Sequence, residues 1–479
     1  MSRRQVDRPR PGPSRGAGRD HDLLAIGSGG AAFAAAIRAT TLGARVALVE
    51  RAVVGGTCVN TGCVPSKHLL AAAEAYHRAG HHPFEGIATS GDGVDLARLV
   101  SAKDDVVSFL RGWKYEDLAG AYGFDIIRGE ARFTGPDAVA VDGREIRAAR
   151  YLVATGSSPW APPIPGLAEA GYLTSTTALE LTELPERLVV IGGSSIGLEM
   201  GQLFSRLGSR VTIIEALDRL APLEEPEISW WITRVFADEG IEAVISARIT
   251  RVDRSGGRTA VRLADGRSFQ ADKVLVATGR RPNVEGLGLE AAGVELTDQR
   301  AIRVDDELRT TNPRVFAAGD VTGAPQFVYV AAAQGTVAAD NAISGAHRRV
   351  DYTGMPRVTF TDPQIAAVGL TDEEANRQGL ACECRVVELE HIPRPIVNRD
   401  TRGAFKIVAE RGTGRILGVH VIAPGAGEVI IGAVYAVRFG LRVEDLATTW
   451  APYLTMAEGL RLAAQSFTAD VGRLSCCAA

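Results

Sequence analysis

Cys58 and Cys63 stand in Gly55-Gly56-Thr57-Cys58-Val59-Asn60-Thr61-Gly62-Cys63-Val64-Pro65-Ser66-Lys67, and Cys476 and Cys477 are adjacent, followed by Ala478 and Ala479. Two closely spaced thiols take up an electron pair when their disulfide opens and pass it to an acceptor. The thiolate does this work, so a helix starting after Cys63 is expected to lower the thiol pKa. Two adjacent sulfurs near a chain end select soft, thiophilic cations, and the strained ring of their disulfide keeps them reducible. The remaining two of the six cysteines, Cys382 and Cys384, alternate along an expected strand and share one face. The neighbouring sequence offers them no further ligand, so they read as small buried hydrophobes, and Trp230-Trp231 reads as packing.

Sulfur chemistry of this kind needs a redox cofactor, and the chain carries two nucleotide-binding patterns. Residues 21–26 read as a buried strand entering Gly27-Ser28-Gly29-Gly30-Ala31-Ala32, then an alanine-rich helix, then a strand over 45–49 that ends at Glu50. Gly27 and Gly29 let the backbone turn tightly against a pyrophosphate, the helix start at Gly30 and Ala31 faces its charge, and Glu50 is placed to accept from ribose hydroxyls. The pattern returns at 188–191, Gly192-Gly193-Ser194-Ser195-Ile196-Gly197, a helix, and a strand over 211–214 that ends at Glu215. Both acids follow their first glycine by 23 residues. Ser194 takes the place of the second glycine and brings a Cβ toward the phosphates. Glu215 suits a free 2′-hydroxyl and so favours NADH over NADPH, while Arg219, four residues on, is within reach of a phosphate. Strands ending at Thr155-Gly156 and Thr278-Gly279 mark crossings between domains. Gly319-Asp320 closes another strand, suited to a ribityl or phosphate contact or to an ordinary turn.

A chain of 479 residues with 46% hydrophobic residues, 23% charged residues and 53 glycines reads as a multidomain α/β protein. Its net charge of −4 gives no reason to expect nucleic acid or a membrane as partner. No run reaches the ~18 apolar residues of a membrane span. The first 19 residues, rich in arginine and proline, read as a disordered basic leader without the apolar stretch of a secretory signal. Six cysteines are too few for a disulfide framework, and the expected location is cytoplasmic.

From about residue 21 to the end the chain resembles the flavin-dependent pyridine nucleotide-disulfide oxidoreductases, the family of lipoamide dehydrogenase and glutathione reductase. The resemblance rests on Cys58-x4-Cys63-Val-Pro-Ser-Lys67, Ala277-Thr278-Gly279-Arg280-Arg281-Pro282-Asn283 and Ala317-Ala318-Gly319-Asp320. Residues 325–331, 360–364, 452–460 and 474–479 are most similar to the mercuric reductase branch. Many members of that branch carry an N-terminal metal-carrier domain, where this chain has only the arginine-rich leader.

The resemblance implies FAD in the first fold and NADH or NADPH in the second. The cofactor contacts it implies are Gly27, Gly29, Gly30, Ala31, Glu50, Gly56, Thr57, Lys67, Thr155, Gly156 and Asp320, with Gly192, Gly197, Glu215 and Gly279 for the nicotinamide. Cys63 becomes the charge-transfer thiolate against the flavin, Cys58 the interchange thiol, and Lys67 a neighbour of the flavin paired with Glu199. The implied domains are FAD-binding at 20–158, NAD(P)H-binding at 159–282, a central part at 283–353 completing the FAD site, and an α+β dimerisation domain at 354–479 with the Cys-Cys tail. A homodimer with active sites shared between subunits follows. The family's His-Pro-Thr-x-x-Glu is here Tyr453-Leu454-Thr455-Met456-Ala457-Glu458, and no histidine occurs after His420. A phenol of pKa about 10 is a poor acid–base shuttle at neutral pH, which disfavours disulfide reduction. The expected substrate is Hg(II) as a thiol adduct, held by Cys58, Cys63, Cys476 and Cys477 and released as Hg(0). A lipoamide dehydrogenase-like disulfide reductase is the alternative. A thiol sink that merely sequesters metal would leave two nucleotide sites without purpose.

Overall fold

The computed structural model describes residues 20–473, so the basic leader and the Cys476-Cys477 tail lie outside the described residues. The chain forms two compact units by contact: 20–66, 101–160 and 279–351 in the first, and 67–100, 161–278 and 352–473 in the second.

The first unit is built on a five-stranded parallel sheet in the order Val315–Ala317, Ala148–Val153, His21–Ile26, Val46–Glu50, Asp125–Arg128. Its inner strands are unbroken apolar runs such as Leu23-Leu24-Ala25-Ile26, as a sheet covered on both faces requires. Helix Gly30–Thr41 buries Ala31, Ala32, Ala35, Ala36 and Ala39. Small residues there let helix Val328–Ser344 come so close that a Cβ on Gly335 would lie 2.1 Å from the Ala31 carbonyl oxygen. A three-stranded antiparallel sheet over Ala131–Gly135, Ala138–Val141 and Arg144–Ile146 and an antiparallel pair of Ser157–Pro159 with Arg280–Pro282 are the unit's other strands.

The second unit repeats the plan with a parallel sheet in the order Glu242–Val244, Arg210–Ile214, Arg187–Ile191, Lys273–Val276. Helix Ser195–Leu207 packs Leu198, Leu203, Phe204 and Leu207 into its core. The α+β portion is an antiparallel sheet in the order Pro356–Thr359, Gln364–Gly369, Ile416–Ala423, Ala404–Glu410, Cys382–Glu388. Helices Ala426–Arg438 and Glu458–Gln465 contribute to one core with Phe405, Ile407, Val419 and Val421. The fold is thus α/β, with two dinucleotide-binding sheets and a C-terminal α+β portion. Among the described residues no helix is long and apolar enough to cross a membrane.

Candidate active site

The first glycine turn has no room for side chains. Gly27 has φ +108°, and a Cβ there would lie 2.4 Å from the Ala154 carbonyl oxygen. Gly56 has φ +65°, and a Cβ on it would lie 2.6 Å from Gly29 Cα, so the segment leading to Cys58 is laid directly on the glycine turn. The Gly55 amide donates to the Ser28 carbonyl at 3.1 Å and to Ser28 Oγ at 3.2 Å. Ser28 Oγ donates in turn to Glu50 Oε2 at 2.5 Å, and Glu50 Oε1 accepts from the Ala52 amide at 2.7 Å. Glu50 therefore ties the strand end to the turn. A dinucleotide pyrophosphate fits this cradle: Gly27, Gly29 and Gly30 bring no side chain to it, and a 12-residue helix starts at Gly30. Ala31 is buried in the contact with Gly335.

Thr57 and Cys58 lie in the helical turn Gly56–Asn60, and Asn60 Nδ2 pins that turn by donating to the Val54 and Gly56 carbonyls, both at 2.9 Å. Helix Cys63–Gly80 opens at Cys63 itself, not after it, so Cys63 occupies the end of the macrodipole that favours negative charge. Cys58 is partly buried and Cys63 exposed. The structure adds Tyr115, which no sequence signal singled out. It lies in the wide helical turn Gly112–Glu116, packs edge-on to Phe33 at 4.8 Å, and its phenol is pushed up to about 12 by burial and then by the charges of Cys58 and Cys63. Tyr115 thus stays a neutral hydroxyl beside the sulfur pair.

Asp320 is bound into a relay. Ser157 Oγ donates to Asp320 Oδ2 at 2.7 Å, and Arg280 donates through Nε to Ser157 Oγ at 2.8 Å and through Nη2 to the Ser157 carbonyl at 2.5 Å. Burial draws the Arg280 guanidinium below its ordinary range, against the pull of Asp320 and Cys63. Arg280 was visible only as part of the Ala-Thr-Gly-Arg motif, with no role of its own. Thr155 and Gly156 are anchored on Asn283: Thr155 Oγ1 donates to the Asn283 carbonyl at 2.7 Å, and the Asn283 amide donates to the Gly156 carbonyl at 2.9 Å.

In the second unit Gly192 has φ +110°, with a Cβ position 2.6 Å from the Ala277 carbonyl oxygen, and a Cβ on Gly197 would lie 1.9 Å from the Gly192 oxygen. Ser194 has extended backbone at φ −98° and stands just ahead of helix Ser195–Leu207, so its side chain strains nothing in the turn. Glu215 is buried, accepting from the Gly193 amide at 2.6 Å through Oε2 and from the Leu217 amide at 2.8 Å through Oε1. This repeats the Glu50 arrangement, in which the acid also takes the amide two residues on. Gly279 has φ +119° with open space around it. Arg219 donates to the Pro222 carbonyl at 3.2 Å, and its buried Nε has no hydrogen-bond partner among the described residues. Lys67 is no solitary surface lysine. Its Nζ lies 2.7 Å from Glu199 Oε2 and 4.5 Å from the centre of the Phe360 ring, while Glu199 Oε1 accepts from the Phe360 amide at 2.9 Å.

Tyr453 is 49% exposed in a turn where Leu454 takes φ +60°. Glu458 is buried; Oε1 accepts from Arg461 at 3.3 Å, and Oε2 has no hydrogen-bond partner among the described residues. Ile431, Tyr435, Phe439 and Trp450 present large apolar groups to solvent, Trp450 at 98% exposure. Cys476 and Cys477 lie outside the described residues. One expectation is overturned: Cys382 and Cys384 do have a further ligand group beside them, Asp372, because the helix Asp372–Arg377 folds back onto their strand.

Residues 21–335 match the pyridine nucleotide-disulphide oxidoreductase family, and residues 355–464 match that family's dimerisation domain. The chain is 53% identical to a mercuric reductase of Streptomyces lividans, over 96% of this chain and 98% of that one. It is 51% identical to a mercuric reductase of Bacillus cereus, over 96% and 73%. Among solved structures, the HOCl-induced flavoprotein disulfide reductase RclA from Escherichia coli superposes with a TM-score of 0.84 at 30% identity, covering 93% of this chain and 99% of that one. LpdA from Mycobacterium tuberculosis superposes with a TM-score of 0.83 at 28% identity, covering 93% and 100%. A family match over both parts of the chain, a cysteine pair laid on its first glycine turn and curated relatives of about 50% identity that cover 96% of this chain converge: the chain belongs to the pyridine nucleotide-disulphide oxidoreductases and, within them, to the mercuric reductases.

Proposed function

We propose that this protein is an NAD(P)H-dependent mercury(II) reductase that converts thiol-bound Hg(II) to Hg(0). The observation that carries this reading is the apposition of Gly56 on Gly29, which sets the loop of Cys58 and Cys63 on the turn built for a dinucleotide. FAD bound at that turn supplies the two-electron relay between nicotinamide and sulfur. The cofactor contacts we assign are Gly27, Gly29, Gly30, Glu50, Gly56, Thr57, Thr155, Gly156 and Asp320, with Gly192, Gly197, Glu215 and Gly279 on the nicotinamide side. Ala31 serves by packing.

One electron pair opens the Cys58–Cys63 disulfide to two thiolates. Hg(II) exchanges its carrier thiols for these sulfurs, the incoming pair displacing the outgoing one. A second pair of electrons, from a second NAD(P)H, goes to the metal, and Hg(0) leaves as a neutral atom. Cys63, at the helix start, would be the charge-transfer thiolate toward bound FAD, and Cys58 would exchange ligands. Tyr115 stands by with a neutral hydroxyl, and Lys67, on the helix that opens at Cys63, is paired with Glu199. Across a homodimer, the partner's Tyr453, Cys476 and Cys477 serve the site, the two tail cysteines collecting the metal and handing it inward. Glu215, held by the Gly193 and Leu217 amides, keeps a carboxylate at the ribose end of the second turn and favours NADH. The reaction belongs in the cytoplasm, where thiols are kept reduced.

The test is Hg(II)-dependent oxidation of NADH and of NADPH by the purified yellow protein in excess thiol, with volatile mercury collected. Sustained turnover with metal loss is expected, faster with NADH. Oxidation by a disulfide and not by mercury moves the protein to the disulfide reductases, and metal uptake that stops at stoichiometry makes it a thiol sink.

A further inference from the structure

The exposed edge of the C-terminal sheet carries a second cluster of metal-ligating groups, which the mercury chemistry above does not use. Cys382 and Cys384 project from the same face of the edge strand Cys382–Glu388, and Asp372 opens the helix Asp372–Arg377 beside them. Cys382 Sγ donates to Asp372 Oδ1 at 3.0 Å, and one donor atom from each of the three residues lies within 4.8 Å of the others. Asn376 Nδ2 holds the same Oδ1 at 2.8 Å, and Asn376 Oδ1 lies 3.8 Å from Cys382 Sγ, so the carboxylate is oriented by a neighbour that brings a further oxygen. The thiols rest on an apolar floor of Ala375, Val408 and Leu417.

The charges around the cluster favour a cation. Lys406, the nearest ammonium, is already shared between Glu225 at 2.9 Å and Glu227 at 3.0 Å, while the Asp372 amide donates to Glu225 at 2.7 Å. With Asp372, and with Glu383 paired to Arg385, the surroundings hold four carboxylates against one ammonium and the two guanidiniums of Arg385 and Arg411 before either thiol loses a proton. The guanidiniums of Arg385 and Arg411 donate to the backbone carbonyls of Cys384 and Cys382, at 3.0 and 3.3 Å.

We propose that Asp372, Cys382 and Cys384 form a binding site for a soft divalent cation of the Hg(II), Cd(II) and Zn(II) class. Two sulfurs and one carboxylate are a donor set for thiophilic ions rather than for Mg(II) or Ca(II). Two zinc–sulfur bonds of about 2.3 Å part their sulfurs by at most about 4.6 Å, close to the 4.8 Å within which the donors already lie. Binding is substitution without redox: the metal forms two M–S bonds, two S–H bonds break, and both protons go to solvent.

Cadmium is the probe, because its binding is read without turnover and therefore separately from mercury reduction. Full-length oxidised holoenzyme, wild type and Cys382→Ser/Cys384→Ser, is equilibrated with 113Cd(II) and desalted, and bound metal and its NMR shift are recorded. The wild type is expected to hold one more cadmium per chain than the double variant, with a shift typical of mixed sulfur and oxygen ligation. Asp372→Asn is expected to weaken that site by about 10-fold or more, since altering even a group that only supports a metal ligand costs about that much. Mercury turnover of the double variant should match the wild type. Equal cadmium content in the two proteins, or full affinity in Asp372→Asn, overturns the proposal. Peptide-resolved alkylation of the wild type decides the matter even if the double variant does not fold: cadmium must slow labelling of Cys382 and Cys384, and unchanged rates sink the site.

Discussion

Two sulfurs and one buried acid bear most of the weight at the residue scale. Cys58→Ala removes the thiol that exchanges with the substrate, so steady-state mercury reduction should fall to background while the protein stays yellow. Turnover retained by this variant would remove the Cys58–Cys63 relay from the mechanism. Lys67→Met probes the ion pair: it leaves Glu199, whose side chain is 8% exposed, without its ammonium, while Lys67 is itself 34% exposed. A buried pair broken on one side costs several kcal/mol and an exposed one almost nothing, so this intermediate case should lose about 1–3 kcal/mol in denaturant unfolding. Adding Glu199→Leu should recover much of the loss, because the uncompensated carboxylate goes with it.

Elements can be separated by the glycines that let them close. Gly27→Ala places a Cβ 2.4 Å from a carbonyl oxygen in the first turn, and Gly197→Ala places one 1.9 Å from a carbonyl oxygen in the second. Gly27→Ala should yield protein with little bound flavin, measured as the ratio of 450 to 280 nm absorbance, roughly tenfold down for a strain of over 1.4 kcal/mol. Gly197→Ala should stay yellow and raise the nicotinamide KM by a similar factor. The loop after the short helix Pro393–Asn398 contributes to acid stability. Burial lifts the Asp400 carboxyl, but the Arg402 guanidinium, bonded to both its oxygens at 2.9 Å, outweighs burial and holds it below the ordinary range. A folded-state pKa below the unfolded value near about 3.9 means that this stability is present above that pH and is lost as pH falls through the folded pKa. Thermal melts from pH 6 down toward 3 should therefore show a shallower decline in Asp400→Asn than in the wild type.

For the whole molecule, the dimerisation domain and the exposed Ile431, Tyr435, Phe439 and Trp450 point to a second copy covering this face. Phe439→Glu/Trp450→Glu should sediment as a monomer and lose turnover. If Tyr453 serves the partner's cysteines, Cys58→Ala and Tyr453→Ala are each inactive alone but complement when mixed. Random reassociation makes half the dimers mixed, and each of these has one intact site, so about a quarter of wild-type activity should return. No recovery on mixing would place both residues in sites made by a single chain.

Local order along the chain was enough for several of these features. The glycine turns, the strands ending at Glu50 and Glu215, and Cys58-x4-Cys63 are read from neighbours within about 25 residues, because φ angles, helix starts and alternating burial are imposed by short-range sterics. Longer-range contacts were not legible. Ser157 and Asp320 are 163 residues apart with no periodic signal between them, and Lys67 and Glu199, 132 apart, were paired in advance only through the family resemblance. Tyr115 lay in none of the motifs, and folding alone set it beside the cysteines. Cys382 and Cys384 were a strand pair without a third donor until the helix at Asp372 turned back on them. Glu215, read as a ribose ligand, proved also to be the clasp of its own glycine turn. Spacing names the groups able to do chemistry, but which of them meet, and how deeply they are buried, depends on packing that only the folded chain provides.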